Sequence, residues 1–432
     1  MNLSKKLFYL IIFLLPLNLG KHFIFNSSYV GGLLVDYLIP TLYIQDILII
    51  ILVGTWLFEY LKNPKSESYL FKNSFFDKNL SVFYFFIFSL FLTVLISPYL
   101  NISFFAFLRT FLYFIFFLYT YLNFDFEKEF GFLIKILSSS FFLVSILGIA
   151  QFLKQSSVFN NYLFFGEQPY SLSVRGIRLE NLLGFTVVPS YGLFRHPNVF
   201  GGLLSILLVW VFSKLQTSKI YYLYFITLII ALCCTFSLFS YASFVLGILT
   251  YLYLSSKTFV GVPLFVDLVK RKYLIFLLSC CFILSIIFPY IPLTGPLLDN
   301  LSFTRRSNLI VGSFELLLTN FSYGVGFNAF TVFIDPYIKN LNMGTIRFLQ
   351  PVHNIFVLIL TESGVVSFMF LLFIFTSTLF KVKNIVLFVS LSQLLFLSCF
   401  DHYFWTIHQS NLFFWLLLGL CWTTVYNYSY NK

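Results

Sequence analysis

The sequence predicts an all-α polytopic membrane protein with about twelve transmembrane helices and two long outer loops carrying short helices. Of the 432 residues, 59% are hydrophobic and 10% are charged. A soluble globular domain carries roughly 25% charged residues. So few charges cannot cover a water-facing surface of this size, and lipid is therefore the predicted solvent for most of the chain.

Apolar runs define the predicted helices. A helix that crosses a bilayer needs about 20 mostly apolar residues. The first run follows Lys5 and Lys6 but lacks a small-residue cleavage site, so we expect it to be retained as a helix. The stretch from Ser237 to Ser240 is expected to be a tight hairpin or a kink. The predicted spans are 7–24, 44–61, 81–97, 102–122, 131–152, 199–213, 220–237, 241–255, 273–291, 352–379, 384–399 and 411–426.

The basic residues predict the orientation. With the N-terminus inside, sixteen of the 27 lysines and arginines lie in inner segments and nine lie in outer ones. Inner segments of membrane proteins carry the excess of positive charge. The chain is therefore expected to be a single multi-pass domain over 1–432 in the cytoplasmic membrane, with both termini cytoplasmic.

Arginine and lysine are distributed unequally between the two sides. The inner set contains one arginine, whereas six of the nine outer cations are arginines. Arginine presents a planar fork of donors that fits phosphate oxygens, so the outer face is predicted to bind an anion. The basic residues form no stripe or RNA-binding signature, and no nucleic acid is expected. The outer arginines are Arg175, Arg178, Arg195, Arg305, Arg306 and Arg347.

The first long outer loop, 153–198, ends in a candidate anion site. Arg195 and His196 precede Pro197 and Asn198, and an apolar run follows. Proline fits the first turn of a helix, and helix N-termini attract anions. The alternative is an ordinary helix start with interfacial cations.

The second long outer loop, 292–351, contains the adjacent pair Arg305 and Arg306, which suits a diphosphate clamp. A helical apolar pattern follows over 307–318 and is expected to lie along the membrane surface. Gly324-Val325-Gly326 would let the backbone approach a ligand closely. The alternative is that these arginines bind lipid headgroups.

A third feature begins at His353-Asn354, where the next span enters. Histidine can exchange a proton near pH 7 or hydrogen-bond a phosphate. Glu362 lies nine residues later, about 13 Å along a helix, so a direct contact with His353 is doubtful. Gly364 and Ser367 are small and would let another helix approach.

Two other polar groups lie near predicted spans. Arg109 lies inside a span with Asp46 as its expected partner, and a structural pair and a phosphate contact are equally open. Asp401-His402 and His408-Gln409 occupy the last short outer loop. These residues would line the acceptor site or contact water and headgroups, and the second interpretation is favoured.

The three outer motifs resemble those of the O-antigen ligase and O-antigen polymerase superfamily, over most of the chain. The resemblance rests on His353-Asn354 followed by Gly364, on the segment from Phe194 to Asn198, and on an arginine followed by Gly324-Val325-Gly326. Ser367 replaces a family glycine. Ser240-Tyr241 stands where many members have Ser-Arg.

The resemblance implies a GT-C-like bacterial glycosyltransferase that needs neither metal nor cofactor. Its donor would be a polyprenyl diphosphate-linked glycan, and its acceptor a glycan, lipid or protein at the outer face of the inner membrane, with membrane lipid around it. The expected catalytic residues are Arg195, Arg305, Arg306 and His353. The expected substrate-binding residues are Arg109, Arg175, Arg178, His196, Asn198, Arg347, Asn354 and Glu362.

Two alternatives stay open at this point. Within the same family, a repeat-unit polymerase is not distinguished from a ligase. The other class is a transporter or flippase of lipid-linked sugars, in which polar or broken helices at the bilayer midplane are expected. The ionisable groups here concentrate in the outer segments, which favours the enzyme.

Overall fold

A computed structural model describes the backbone of residues 2–62, 80–174, 176–255, 263–290, 301–341 and 349–430. These described residues are 72% helical, and their strands form short two-stranded ribbons. The helices are α1 (Leu3–Phe13), α2 (Ile44–Lys62), α3 (Ser81–Leu95), α4 (Leu100–Asn123), α5 (Phe126–Lys154), α6 (Pro197–Phe212), α7 (Ile220–Cys234), α8 (Leu238–Ser255), α9 (Pro263–Ile287), α10 (Leu301–Asn320), α11 (Phe330–Phe333), α12 (Ile355–Lys381), α13 (Ile385–Ser398), α14 (Tyr403–Thr406) and α15 (His408–Tyr430). The strands are β1 (Gly20–His22), β2 (Tyr29–Val30), β3 (Leu33–Leu34), β4 (Thr41–Tyr43), β5 (Glu180–Leu182) and β6 (Phe185–Val187).

The helices have membrane-protein character. Within the described residues, six are long and apolar enough to cross a bilayer, and four shorter ones are strongly apolar. Each of the twelve predicted apolar runs overlaps a helix, so the all-α prediction is confirmed. Twelve membrane crossings, the GT-C-like arrangement and the single-domain organisation stay predictions. The stretch at Ser237 is a tight turn, because α7 ends at Cys234 and α8 begins at Leu238.

The first predicted span is wrong in its second half. Helix α1 ends at Phe13, and the chain then turns into β1 instead of continuing to residue 24. Pro16 lacks a backbone N–H and clashes with the preceding turn, so it stops the helix. Gln45 at the start of α2 donates its side-chain amide to the freed carbonyls of Leu14 and Leu17, each at 2.8 Å.

The helices divide into a buried set and a set with much exposed apolar surface. Nearly every residue of α6 is buried, as are the described side chains of α15 as far as Thr423, so these helices lie at the centre. In contrast, only 6% of the apolar stretch Arg271–Tyr290 is buried. Helices with so much apolar surface exposed are suited to lipid rather than water. Side-chain amides tie the centre together, and Gln393 of α13 donates to the carbonyls of Ser205 and Ser243.

The predicted outer segments meet at one end of the bundle. The ribbon β1–β4, both long outer segments and the turn between α13 and α15 contact one another there. Predicted inner residues meet elsewhere, as in the Lys5–Glu129 ion pair and in the contact of Arg271 with the carbonyl of Val382. This grouping agrees with the alternation of segments in the predicted topology. Which end faces the cytoplasm stays a prediction.

Helix α12 is broken at Gly364, where φ is 70° and ψ is 179°. The break leaves the carbonyls of Thr361 and Glu362 without helical partners. Val325 N–H and Gly326 N–H donate to them at 2.9 and 3.0 Å. A Cβ on Gly324 would lie 2.4 Å from the Glu362 backbone. In this structure the backbone of the Gly324-Val325-Gly326 loop therefore packs closely against α12.

Candidate functional site

A polar cluster at the outer-segment end brings together residues from four parts of the chain. His353 lies just before α12, Arg306 is in α10, Asn198 is in the first turn of α6, and Asp401 and His402 connect α13 to α14. We call these five residues the His353–Asp401 cluster. His402 is buried, and the other four are partly accessible.

Asp401 lies at the centre of this cluster. Its Oδ2 accepts a hydrogen bond from Asn198 Nδ2 at 3.2 Å and lies 4.0 Å from Arg306 Nη2. Its Oδ1 accepts from the backbone N–H of His402 at 2.8 Å. The rings of His353 and His402 meet edge to face, with centroids 5.0 Å apart. Tertiary packing thus places Asp401 and His402 beside His353, and the sequence-based preference for a water or headgroup contact at these two residues stays a prediction.

Arg306 and Arg305 have different surroundings. The Arg306 guanidinium packs over the Phe239 ring at 5.5 Å, and its Nη1 donates to the Phe400 carbonyl at 3.4 Å. Its buried Nε has no hydrogen-bond partner among the described residues. Successive residues of an α-helix point about 100° apart, so Arg305 leaves α10 in another direction. Of the two arginines, Arg306 is the member of the cluster.

Arg178 extends the cluster through Asn198. Its Nη1 donates to Asn198 Oδ1, and its Nη2 donates to the Phe236 carbonyl at 2.8 Å. Glu180 pairs with the same guanidinium at 2.6 Å. Asn198 N–H donates to His196 Nδ1 at 3.1 Å, so His196 caps α6 with a ring nitrogen. Arg178, His196 and Asn198, which were predicted as binding residues in the first long loop, thus lie next to Arg306, which was predicted in the second.

The cluster favours neutral histidines beside a charged carboxylate. Burial, followed by the nearby Arg306 guanidinium, holds the pKa of His353 well below its ordinary value. Burial also lowers the pKa of His402 and of His196, each to about 4. Burial alone would raise the pKa of Asp401, but His353 and His402, which become protonated in acid, and the Arg306 guanidinium outweigh it and hold that pKa below its usual range. At neutral pH, His353 is accordingly an unprotonated base.

Three residues of the cluster have the side chains of a metal site. The ligand atoms of His353, Asp401 and His402 all lie within 4.8 Å of one another. His402 Nδ1 contacts Thr406 Oγ1 at 2.7 Å, an outer-shell contact common behind a ligating histidine. The Arg306 guanidinium beside Asp401 already places positive charge at this point and would repel a dication. The expectation of no metal stays a prediction.

Arg195 belongs to a second group, which we call the Arg195–Tyr43 cluster. Its Nη2 lies 3.1 Å from Tyr43 Oη and 3.3 Å from His22 Nε2. Tyr43 also stacks on His408, with ring centroids 3.4 Å apart. The register Gly20↔Tyr43 of the β1–β4 ribbon sets His22 near Tyr43. Arg195 and Arg306 therefore belong to different clusters in this structure.

Arg109 joins this second cluster from α4. Its Nε lies 3.8 Å from Asp46 Oδ2, so the predicted partner is confirmed. The guanidinium also donates to the Thr41 carbonyl and lies 5.1 Å from the centre of the Tyr43 ring. These contacts give Arg109 a structural pair, and its role as a phosphate contact stays a prediction.

A cavity of about 550 Å³ lies beside both clusters. Arg109 and His408 line it from the Arg195–Tyr43 cluster. Tyr37 and Thr406 also line it and contact His402 of the His353–Asp401 cluster. The rest of the wall is mostly apolar and includes residues of α2 and α4 that face outward, namely Ile50, Phe105, Leu108 and Phe111. A mostly apolar wall that carries a few polar groups suits an amphipathic ligand.

Two predicted binding residues have structural contacts. Asn354 caps α12 by accepting from Val357 N–H at 3.1 Å, and it donates to Ser285 Oγ and the Cys399 carbonyl. Glu362 accepts from Phe330 N–H at 3.3 Å and lines the cavity. Arg175 and Arg347 lie outside the described residues. Substrate binding by all four residues stays a prediction.

Sequence reasoning undervalued Asp401 and His402 and did not select Tyr37. A carboxylate next to a histidine in a short outer loop was the available signal for the first two. Tyr37 lies in a connecting segment with no motif, so only the fold shows that it contacts His402. A comparison with models of known protein families finds no match, and a comparison with curated proteins finds none either.

Proposed function

We propose that this protein transfers a glycan from a polyprenyl diphosphate carrier to an acceptor hydroxyl at the outer face of a cytoplasmic membrane. The observation that carries the proposal is a cluster of arginine, histidine and aspartate side chains next to a mostly apolar cavity among membrane-type helices. The resemblance of the motifs around Arg195, around Arg305 or Arg306, and around His353 to those of O-antigen ligases and polymerases supports the same reaction.

Unpartnered atoms in the His353–Asp401 cluster support a phosphate ligand. Arg306 Nε and His353 Nδ1 are buried and have no partner among the described residues. Buried polar atoms almost always have a hydrogen-bond partner, so such atoms point to a missing ligand or water. Diphosphate oxygens would accept from the guanidinium, and the adjoining cavity would receive the first apolar units of the carrier.

The proposed step conserves atoms and charge. The acceptor hydroxyl oxygen bonds to the anomeric carbon while the bond from that carbon to the diphosphate oxygen breaks. The electron pair leaves with the diphosphate, where Arg306 stabilises the developing negative charge. His353 takes the proton from the hydroxyl, and Asp401 stabilises the imidazolium that forms.

The test uses the purified full-length protein in lipid vesicles with a fluorescent polyprenyl diphosphate glycan. We expect release of polyprenyl diphosphate that continues in EDTA and falls in the variants Arg306→Ala, His353→Ala and Asp401→Asn. Lys219→Ala, exposed in another part of the chain, is the matched control. Equal turnover by all variants would remove the site assignment.

Product analysis separates the competing functions. Growth of the glycan by whole repeat units on a second carrier molecule indicates a polymerase, whereas transfer to a different acceptor indicates a ligase. Movement of intact donor between leaflets without release of the diphosphate would replace the proposed enzyme with a transporter.

A further inference from the structure

We infer that two turns of the first outer loop insert their apolar tips into the outer leaflet of the membrane. The first tip is the β5–β6 turn, Leu182 to Phe185, and the second is Leu163 to Phe165. This inference concerns a lipid-binding surface and does not depend on the proposed reaction.

Both tips expose large apolar side chains. Leu183 is 91% exposed and Phe185 is 75% exposed in the first tip, and Leu163 is 80% exposed in the second. Neither tip contains a charged residue. Isolated exposed leucines are ordinary on protein surfaces, but contiguous apolar patches mark interaction sites.

The backbone conformation gives an independent indication. The register Leu182↔Phe185 leaves a two-residue turn, in which φ is 52° at Leu183 and 89° at Gly184. Turns with positive φ at both central positions favour asparagine or aspartate followed by glycine. Leucine at the first position has a strained backbone conformation, and exposure of its apolar side chain to water offers no stabilisation that would offset the strain. The second tip repeats this feature, because Phe165 has a φ of 58°.

The bases of both tips are held at the ends of membrane-type helices. Arg178, two residues before β5, donates to the Phe236 carbonyl in the α7–α8 turn, and Val188 N–H donates to Gln155 at the end of α5. Phe165 accepts from Asn18 N–H, just beyond α1. Leu153 and Leu238 at these helix ends are 77% and 72% exposed, so the apolar surface of the helices continues toward the tips.

This position favours lipid as the occupant. Leu153 and Leu238 near the tips are exposed apolar residues of the kind found on a lipid-facing surface, and Leu and Phe partition into the acyl region. Arg178 lies at the base of the first tip and also contacts Asn198. Insertion of the tip into lipid would therefore help to fix the position of Asn198 at the edge of the His353–Asp401 cluster.

The depth of the tips can be measured by spin labelling in bilayers. Leu183→Cys and Leu163→Cys would be labelled with a nitroxide in a Cys233→Ser background, because Cys233 is an exposed native thiol. Ser173→Cys in the same outer loop is the water control, and Leu249→Cys on the exposed face of α8 is the lipid control. Accessibility to oxygen, which partitions into lipid, is compared with accessibility to a water-soluble nickel chelate.

We expect the oxygen-to-nickel accessibility ratio at 183 and 163 to exceed that at 173 and to approach that at 249. A ratio equal to that at 173 would show that the tips stand in water and would overturn the inference. Low accessibility to both reagents would show that protein covers the tips, and it would overturn the inference equally.

A second variant separates lipid contact from folding. Leu183→Asn suits the turn conformation, so the thermal stability in detergent should stay the same or rise. A label at Phe185→Cys should nevertheless become shallower in bilayers when Asn replaces Leu183. An unchanged depth at 185 would contradict a role of Leu183 in lipid contact.

Discussion

Asp401 connects side chains that are distant in the sequence. It accepts from Asn198 and lies beside Arg306 and the two histidines, His353 and His402. One carboxylate with several cationic or potentially cationic neighbours keeps its charge even when partly buried. The same charge supports a transient imidazolium at His353 in the proposed reaction.

The two adjacent arginines should respond differently to truncation. Arg306→Ala should lower diphosphate release by about 10²-fold or more, because it removes a fixed donor at the developing charge. Arg305→Ala should have a smaller effect, since its side chain leaves α10 in another direction. Single-turnover rates at saturating donor measure both, and equal losses would contradict the assignment to Arg306.

The lowered pKa values of the histidines predict acid sensitivity of folding. His402 and His196 stay neutral in the folded protein down to about pH 4, whereas unfolded histidine binds a proton below about 6.5. Between these values the unfolded state holds more protons, so stability should fall as the pH is lowered. His402→Gln should flatten the decline in thermal midpoint between pH 6.5 and 4, and an unaltered slope would contradict the burial-based argument.

The contacts of Arg271 explain why one arginine occurs among the predicted inner cations, which are otherwise lysines. It is the one arginine among the predicted inner cations, and it donates to the carbonyls of Val382 and Lys383 beyond the end of α12. Its fork serves two carbonyls at once, which the single ammonium of lysine does less well. Arginine in this sequence therefore marks fork-shaped recognition of oxygen atoms, whether these belong to a ligand or to a helix end.

At the level of elements, the break in α12 is a specific junction between two segments. Gly364 has a backbone conformation that is essentially restricted to glycine, and a Cβ there would lie 2.3 Å from the Ser322 carbonyl oxygen. The freed carbonyls bind the loop from 324 to 326. This junction fixes α10, and hence Arg306, relative to α12 and His353.

Gly364→Ala should destabilise the protein by at least about 1–3 kcal/mol, which is the usual cost of such backbone strain before any clash. Gly54→Ala in α2 is the matched control, because among the described residues no atom lies within 4 Å of the Cβ that alanine would add. That change should be neutral or stabilise by about 0.5–1 kcal/mol. Thermal unfolding in one detergent compares the two, and similar midpoints would argue against the junction.

At the scale of the whole molecule, the bundle places its polar clusters around one apolar cavity. The His353–Asp401 cluster reaches the cavity through Tyr37 and Thr406, and the Arg195–Tyr43 cluster reaches it through Arg109 and His408. A carrier with an anionic head and an apolar tail matches this arrangement. Residues on the cavity wall should therefore govern recognition of the tail.

Filling the cavity should discriminate between donors by chain length. Ala106→Trp on the α4 wall should raise KM for a full-length polyprenyl donor by about tenfold, or about 1.4 kcal/mol, and should affect a short-chain analogue less. Val245→Trp on the exposed face of α8 is the control. Equal changes for both donors would place the tail elsewhere.

The sequence by itself determined the helical class and the positions of the apolar runs, because lipid requires long apolar segments with satisfied backbones. It also indicated the adjacent pair Arg305 and Arg306, His353 and the Arg109–Asp46 pair, since arginine, histidine and buried charge have recognisable chemistry.

Only the tertiary structure decided that Asp401 and His402 lie beside His353, that Arg195 lies in a separate cluster and that the glycine loop binds a broken helix. These outcomes depend on which helix ends meet in space. A contact between residues 203 positions apart, such as that between Asn198 and Asp401, leaves no local pattern in the chain.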